Sequence, residues 1–193
     1  FGGEQLNEIG LQLNWLAPLD TYLLLGAELF QGDNENSFGI GSFTIGNTTV
    51  SEPTPPDLVV GFAKTSLDID DLTILGGLSY AQGGSINSNE TEGFNGISRV
   101  LGIDLTMKYF LSSYTYLSLQ SEYMFRNTSG SRYTADQITN LFKNQDGLYI
   151  QLIWRLDQLW KVGIRYDLLH QNNIIENGVN SDQAGNLARY SAM

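Results

Sequence analysis

Apolar and polar residues alternate along this chain in stretches of about ten residues. The clearest two are Leu148–Leu156 and Trp160–Leu168, in which one face is apolar and the other carries Gln, Arg, Lys and Asp. Because side chains of a β-strand point alternately to opposite faces, a period of two predicts strands with one apolar and one polar face. Eight such strands and part of a ninth follow one another, although the third, 58–67, alternates too poorly for its faces to be assigned.

The connections between the strands alternate between short and long. Short turns are predicted near 17–20, 68–71, 111–114 and 157–159, and long polar loops near 32–56, 83–98, 127–145 and 170–185. A short helix capped by Thr134 is predicted at 134–142, inside the third loop. Short periplasmic turns and longer extracellular loops are typical of transmembrane β-barrels.

The pattern therefore predicts an all-β fold, an antiparallel up-and-down transmembrane β-barrel, with residues 1–193 forming a single partial barrel domain of about 8–9 strands. A soluble sandwich or ligand-binding barrel has the same period, since its apolar face lines a core. Two features favour the membrane. The strands are long enough for a tilted crossing, and no charge lies on the assigned apolar faces, where it would cost about 2–4 kcal/mol at mid-bilayer.

Aromatic residues at the ends of the apolar faces are a third feature that favours the membrane. Trp and Tyr prefer the membrane–water boundary because their rings are apolar and carry one polar atom. The predicted girdle consists of Trp15, Tyr22, Tyr80, Tyr109, Tyr116, Tyr123, Trp154, Trp160 and Tyr166.

Composition and charge exclude several function classes. The 193 residues include no cysteine, which excludes disulfides and thiol chemistry. The net charge is -11 and there are only 10 Lys and Arg residues, which argues against a nucleic-acid partner. No apolar run is long enough for a transmembrane helix.

The polar faces collect most of the basic residues, although the chain has 21 acidic and 10 basic side chains. The predicted pore-lining residues are Glu28, Asp104, Lys108, Gln120, Glu122, Arg126, Gln151, Arg155, Lys161, Arg165 and Asp167. Two interpretations stay open at this point. The residues form a mildly cationic pore that favours anionic solutes, or they form ion pairs that satisfy a polar interior.

No catalytic constellation, metal site or cofactor motif is found, and the chain is predicted not to be an enzyme. His170 is the only histidine and is interpreted as a surface residue. The cluster Asp68, Asp70 and Asp71 lacks the spacing and the glycine of an EF-hand, so a turn is the better interpretation.

Segments 147–152 and 160–167 resemble the carboxy-terminal region of porin-like outer-membrane proteins of Gram-negative bacteria, above all the phosphate-selective porin family. Segment 101–109 is similar to an earlier strand of that group, and the resemblance covers about 101–193. It implies a larger barrel of about sixteen strands, often a homotrimer, in the bacterial outer membrane. Its function would be passive diffusion of small hydrophilic solutes, with the lipid bilayer and lipopolysaccharide as further partners.

The two ends of the chain suggest a piece of a longer polypeptide. No secretory signal opens it, and it closes on a strand-like stretch, 186–193. The terminal aromatic residue of the porin group is missing, so no pore-constriction residue is carried over. Two rivals stay open: the carboxy-terminal barrel part of a TonB-dependent-type receptor, plugged by an amino-terminal domain, and a soluble ligand-binding β-barrel.

Overall fold

The structure, a computed structural model, describes residues 8–33, 37–183 and 187–192 as an antiparallel β-sheet protein. Its strands are β1 (Gly10–Leu16), β2 (Tyr22–Phe30), β3 (Phe43–Ile45), β4 (Thr48–Val50), β5 (Leu58–Ile69), β6 (Leu72–Ser88), β7 (Glu92–Phe110), β8 (Tyr116–Thr134), β9 (Ile138–Arg155), β10 (Lys161–Glu176), β11 (Val179–Gln183) and β12 (Leu187–Ala192). These residues contain no helix that is long and apolar enough to cross a membrane.

Ten strands form one sheet, and its order follows the chain. From β1 the order runs through β2 and β5 to β10, and β11 and β12 both pair with the outer edge of β10. The sheet is therefore nine strands wide, and the prediction of an all-β antiparallel fold is confirmed. No pairing joins β1 to β12, so the sheet is open within the described residues.

The short turns lie where the alternation predicts them. The strands leave 17–21, 70–71, 111–115 and 156–160 between them, at the turn-side end of the sheet. In the last of these turns, Asp157 Oδ1 accepts hydrogen bonds from the backbone N–H groups of Trp160 and Leu159 at 2.8 and 2.7 Å. These bonds stabilise the carboxylate and lower the pKa of Asp157.

Three of the predicted long loops are wrong, because the strands continue through most of 83–98, 127–145 and 170–183. The hairpins turn at 89–91, 135–137 and 177–178, at the loop-side end of the sheet. Polar residues and glycines lie on both faces there among scattered apolar ones, so the regular alternation disappears although the backbone ladder is intact. Of the last predicted loop, residues 184–185 lie outside the described residues.

The predicted helix at 134–142 is also wrong. Thr134 ends β8, and its Oγ1 accepts a hydrogen bond from the Gln137 N–H at 3.2 Å. The backbone N–H of Thr134 donates to the Gln137 carbonyl at 3.0 Å, which closes a hairpin, and β9 begins at Ile138. The threonine hydroxyl that suggested a helix cap therefore stabilises a turn between two strands.

The first predicted loop, 32–56, does connect two strands, and it folds back on the sheet; its residues 34–36 lie outside the described residues. It carries the β3–β4 hairpin, whose Phe43, Ile45 and Val50 pack with Ile86 and Tyr133 in a buried apolar cluster. The pairing of β6 with β5 ends at Gly83. Beyond that point, the segment just before the β3–β4 hairpin runs along the free edge of β6, and the Ile86 N–H donates to the Gly39 carbonyl at 2.8 Å. The loop thus covers an otherwise free strand edge.

Candidate functional site

The strand register divides the sheet into a polar face and an apolar face. All eleven predicted pore-lining residues lie on the polar face. Residues that pair across neighbouring strands, such as Asp104 and Glu122, point to the same face of the sheet. The register also assigns the faces of β5, where Lys64 pairs with Gly77 and lies on the polar face. The role of these residues in lining a pore stays a prediction.

A row of charged residues crosses the middle of the polar face. In register, the row runs Asp104, Glu122, Tyr149, Asp167 and Arg189. The guanidinium of Arg165 lies 4.0 Å from the ring centroid of Tyr149, and its Nη2 lies 2.7 Å from Asp167 Oδ1. Arg189 Nη2 lies 3.2 Å from the other oxygen of Asp167. One carboxylate is therefore shared by two arginines on neighbouring strands.

A basic cluster lies at the turn-side end of the polar face. Lys108 Nζ lies 4.1 Å from the ring centroid of Tyr116 and 4.7 Å from that of Phe110. Arg155 approaches the same Tyr116 ring at 5.9 Å and pairs in register with Lys161. Since an aromatic face attracts a cation, Tyr116 holds basic groups together that would otherwise repel one another.

Hydrogen-bonded polar side chains mark the loop-side end of the polar face. Arg126 Nε donates to Gln145 Oε1 at 3.0 Å, and Gln145 Nε2 donates to Asn172 Oδ1 at 2.7 Å. Arg126 Nη1 also donates to Ser37 Oγ, at 3.1 Å, so the first loop is joined to this face. This network links β8, β9, β10 and the loop that follows β2.

Further along, Arg132 is held between two carboxylates. Its Nη2 lies 2.6 Å from Glu92 Oε1 on β7, and its Nη1 lies 2.8 Å from Glu176 Oε1 on β10. The hydrogen bonds to Glu92 raise the pKa of Arg132. These residues line a cavity of about 480 Å³, here called the loop-side cavity, together with residues that include Arg126 and Lys143.

The polar face carries a slight excess of positive charge. Nine of the chain's 10 Lys and Arg residues lie on it, and Arg99 is the exception. The eight acidic residues placed there by register are Glu28, Asp68, Glu92, Asp104, Glu122, Asp167, Glu176 and Asp182. In a chain with a net charge of -11, this distribution sets the polar face apart from the turns and loops.

The apolar face is the more exposed of the two faces. Along β9, Ile150, Leu152 and Trp154 are 40, 41 and 45 % exposed, whereas Gln151 and Arg155 on the polar face are half-buried. A soluble sandwich has the opposite arrangement, because its apolar face is covered by a second layer. The pattern fits a sheet that curls toward its polar side, so that polar side chains converge and apolar ones spread apart.

Most predicted girdle residues lie on the apolar face. Register places Trp15, Tyr80, Tyr109, Tyr123, Trp154 and Tyr166 there, and Trp160 lies in the turn before β10. Two predictions are wrong, because Tyr22 pairs with Ser66 and Tyr116 pairs with Arg155, both on the polar face. Each tyrosine is the first residue of its strand, one position out of phase with the apolar residues.

The apolar face ends at a set of polar residues, here called the polar belt. Gln82, Arg99 and Asn127 form one row of the register, Asp146 lies one row nearer the turn-side end, where it pairs with Phe125, and His170 lies at a bulge in β10. Two tyrosines reach it from the apolar side. The Tyr80 hydroxyl donates to Gln82 Oε1 at 3.0 Å, and the Tyr123 hydroxyl donates to Asp146 Oδ2 at 3.0 Å. The boundary between apolar and polar surface therefore lies within two neighbouring rows of the register.

Several of these contacts had no signal in the alternation. His170 Nδ1 lies 3.2 Å from Asp146 Oδ2, a contact that depends on the register shift between Leu169 and Gln171. The predicted loops contain Glu92, Arg132 and Glu176. The Asn177–Gly178 dipeptide is typical of a hairpin turn, and it could have predicted that the strand before it continues to Glu176. Among the described residues, no group of three or more side chains could hold a metal ion.

Comparisons with known proteins find a relative but no family or fold match. No family model matches the chain, and no solved structure matches it. An uncharacterized protein of Aquifex aeolicus is 46 % identical over 196 residues. The match covers 98 % of this chain but 42 % of the relative, so the chain spans less than half the length of that protein.

Proposed function

We propose that this chain forms part of the wall of a porin-like β-barrel in the outer membrane of a Gram-negative bacterium. The barrel would let small hydrophilic solutes diffuse passively, with a preference for anions. The carrying observation is the exposed apolar face, which ends abruptly at the polar belt. Burying one Ile or Leu side chain contributes about 1.5–3 kcal/mol, so contact with lipid is favoured over contact with water.

The length of the apolar face supports a membrane crossing. On β7 the apolar side runs from Leu101 to Tyr109, nine residues, and a tilted transmembrane strand needs about 9–11. The tyrosine hydroxyls at the polar belt would lie at headgroup depth, where Tyr is favoured. The loop-side end would then be extracellular, beside lipopolysaccharide, and the turn-side end periplasmic.

The open edges of the sheet support a larger barrel. In lipid, unpaired backbone groups of β1 and β12 would have no water to bond with, so further strands must pair with them. The relative carries a sequence like this one within a longer polypeptide, which has room for such strands. The homotrimer implied by the resemblance to porins stays a prediction.

Anion preference follows from the charge on the polar face. Lys108, Arg155 and Lys161 cluster at the turn-side end, and Arg165 and Arg189 lie near the middle. Positive groups along a narrow polar wall lower the electrostatic barrier for anions.

Conductance of the full-length protein in planar lipid bilayers tests the proposal. We expect stepwise channels that pass chloride more readily than potassium, and Lys108→Gln combined with Lys161→Gln should shift the reversal potential toward cations. Wild-type channels that prefer potassium would overturn the anion preference. Insertion without conductance would favour the plugged receptor barrel, and a protein that stays soluble without detergent would favour the soluble barrel.

A further inference from the structure

The loop-side cavity offers a binding site on the polar face, at the end where solutes would enter. We propose that it binds a sugar acid, a monosaccharide-sized solute that carries a carboxylate. This inference rests on the proposed function, because it names a class of solute that the channel would capture. The volume of about 480 Å³ lies within the range of about 300–1,000 Å³ typical of small-molecule sites.

The charge pairing in the cavity leaves Lys143 available to a ligand. Arg132 is already paired with both Glu92 and Glu176, which in turn weakens the repulsion that these two carboxylates exert on an anion. Lys143 lines the same cavity, and its ammonium has no hydrogen-bond or ion-pair partner within 8–33, 37–183 and 187–192. A ligand carboxylate would supply that partner, in a charge-assisted hydrogen bond.

The remainder of the lining suits the rest of a sugar molecule. Asn87 and Ser88 are exposed and present amide and hydroxyl groups that can both donate and accept hydrogen bonds. Phe94 and Leu141 contribute apolar surface to the same cavity. Sugars combine hydroxyl groups around the ring with apolar C–H faces, so both kinds of lining are used. Inorganic phosphate would use only the cation.

Binding to the detergent-solubilised full-length protein tests this inference. Isothermal titration calorimetry would compare glucuronate, glucose and inorganic phosphate. We expect saturable binding of glucuronate, with glucose and phosphate each at least about tenfold weaker. Lys143→Gln should raise the Kd for glucuronate by about tenfold, as loss of a charge-assisted hydrogen bond does. Arg99→Gln is the control, because Arg99 lies on the opposite face of the sheet, and it should change Kd less than about twofold.

Three results would overturn the inference: no saturable binding of glucuronate, an unchanged Kd in Lys143→Gln, or glucose or phosphate binding as tightly as glucuronate. Circular dichroism of both variants checks that the sheet is intact. Because the titration needs no membrane and no current, binding without conductance would contradict only the channel. Conductance without binding would contradict only the site.

Discussion

Replacing Ile150 with Arg tests which surroundings the apolar face meets. Ile150 lies on that face of β9, in the same row as Leu105, midway between Leu101 and Tyr109 on β7. Ile97→Arg is a matched control, because Ile97 lies on the same face of β7 beyond the polar belt. Both isoleucines are 40 % exposed, so in water the two substitutions should be equivalent.

The two surroundings predict different magnitudes. At the bilayer midplane an arginine on the lipid face costs about 2–4 kcal/mol, and the cost falls to about 0–1 kcal/mol near the interface. On a surface in water, each substitution would change the free energy of unfolding by only about 0.5 kcal/mol. We therefore expect Ile150→Arg to be destabilised by at least about 2 kcal/mol relative to Ile97→Arg.

The assay is urea unfolding of the full-length protein refolded into phosphatidylcholine vesicles, with the free energy of unfolding obtained by linear extrapolation. Equal free energies for the two variants, within about 0.5 kcal/mol, would refute the assignment of the apolar face to lipid.

Three further changes have defined outcomes. The pKa of Asp157 is lowered from its ordinary value of 3.8, so the ionised carboxylate stabilises its turn above that value, and this stability is lost as the pH falls through the lowered pKa. Asp157→Asn should therefore lose less stability on acidification than the wild type in urea titrations. Equal losses in the two proteins would contradict this. Phe43→Ala, which removes a side chain only 8 % exposed, should make the β3–β4 hairpin more sensitive to protease while the circular dichroism of the sheet is unchanged, and unaltered cleavage would count against the packing. Arg132→Gln leaves Glu92 and Glu176 unpaired and should speed amide exchange at the loop-side ends of β7 and β10, whereas Arg99→Gln should leave that exchange unchanged.

The sequence predicts the strands well where one face is apolar. Within 148–156, alternation alone assigns both faces, and the register agrees. Alternation fails beyond the polar belt, for example at 127–145. Neither face of the strands is apolar there, so the sequence pattern of a strand resembles that of a loop. The Asn177–Gly178 turn, with φ values of 48° and 79°, carries the hairpin signal that alternation lacks.

The odd or even position of a residue along its strand predicts the face of its side chain but not the partners of that side chain. It places all eleven candidates on the polar face, yet it misplaces Tyr22 and Tyr116, which stand at strand starts. Arg132 reaches Glu176 across β9, a contact that needs the sheet to bring non-adjacent strands together. Such contacts depend on the register of several strands and on bulges, which have no periodic signature in the sequence.

Single cysteines along β9 test the central claim, that the apolar face meets lipid and the polar face meets water. This chain has no cysteine, so each new thiol at 149–155 is the only one within it, and the unsubstituted protein gives the background reaction. In the full-length protein in lipid vesicles, a charged water-soluble thiol reagent should modify positions 149, 151, 153 and 155 and leave 150, 152 and 154 unmodified. Equal reaction at both sets, or faster reaction at the apolar positions, would contradict the claim.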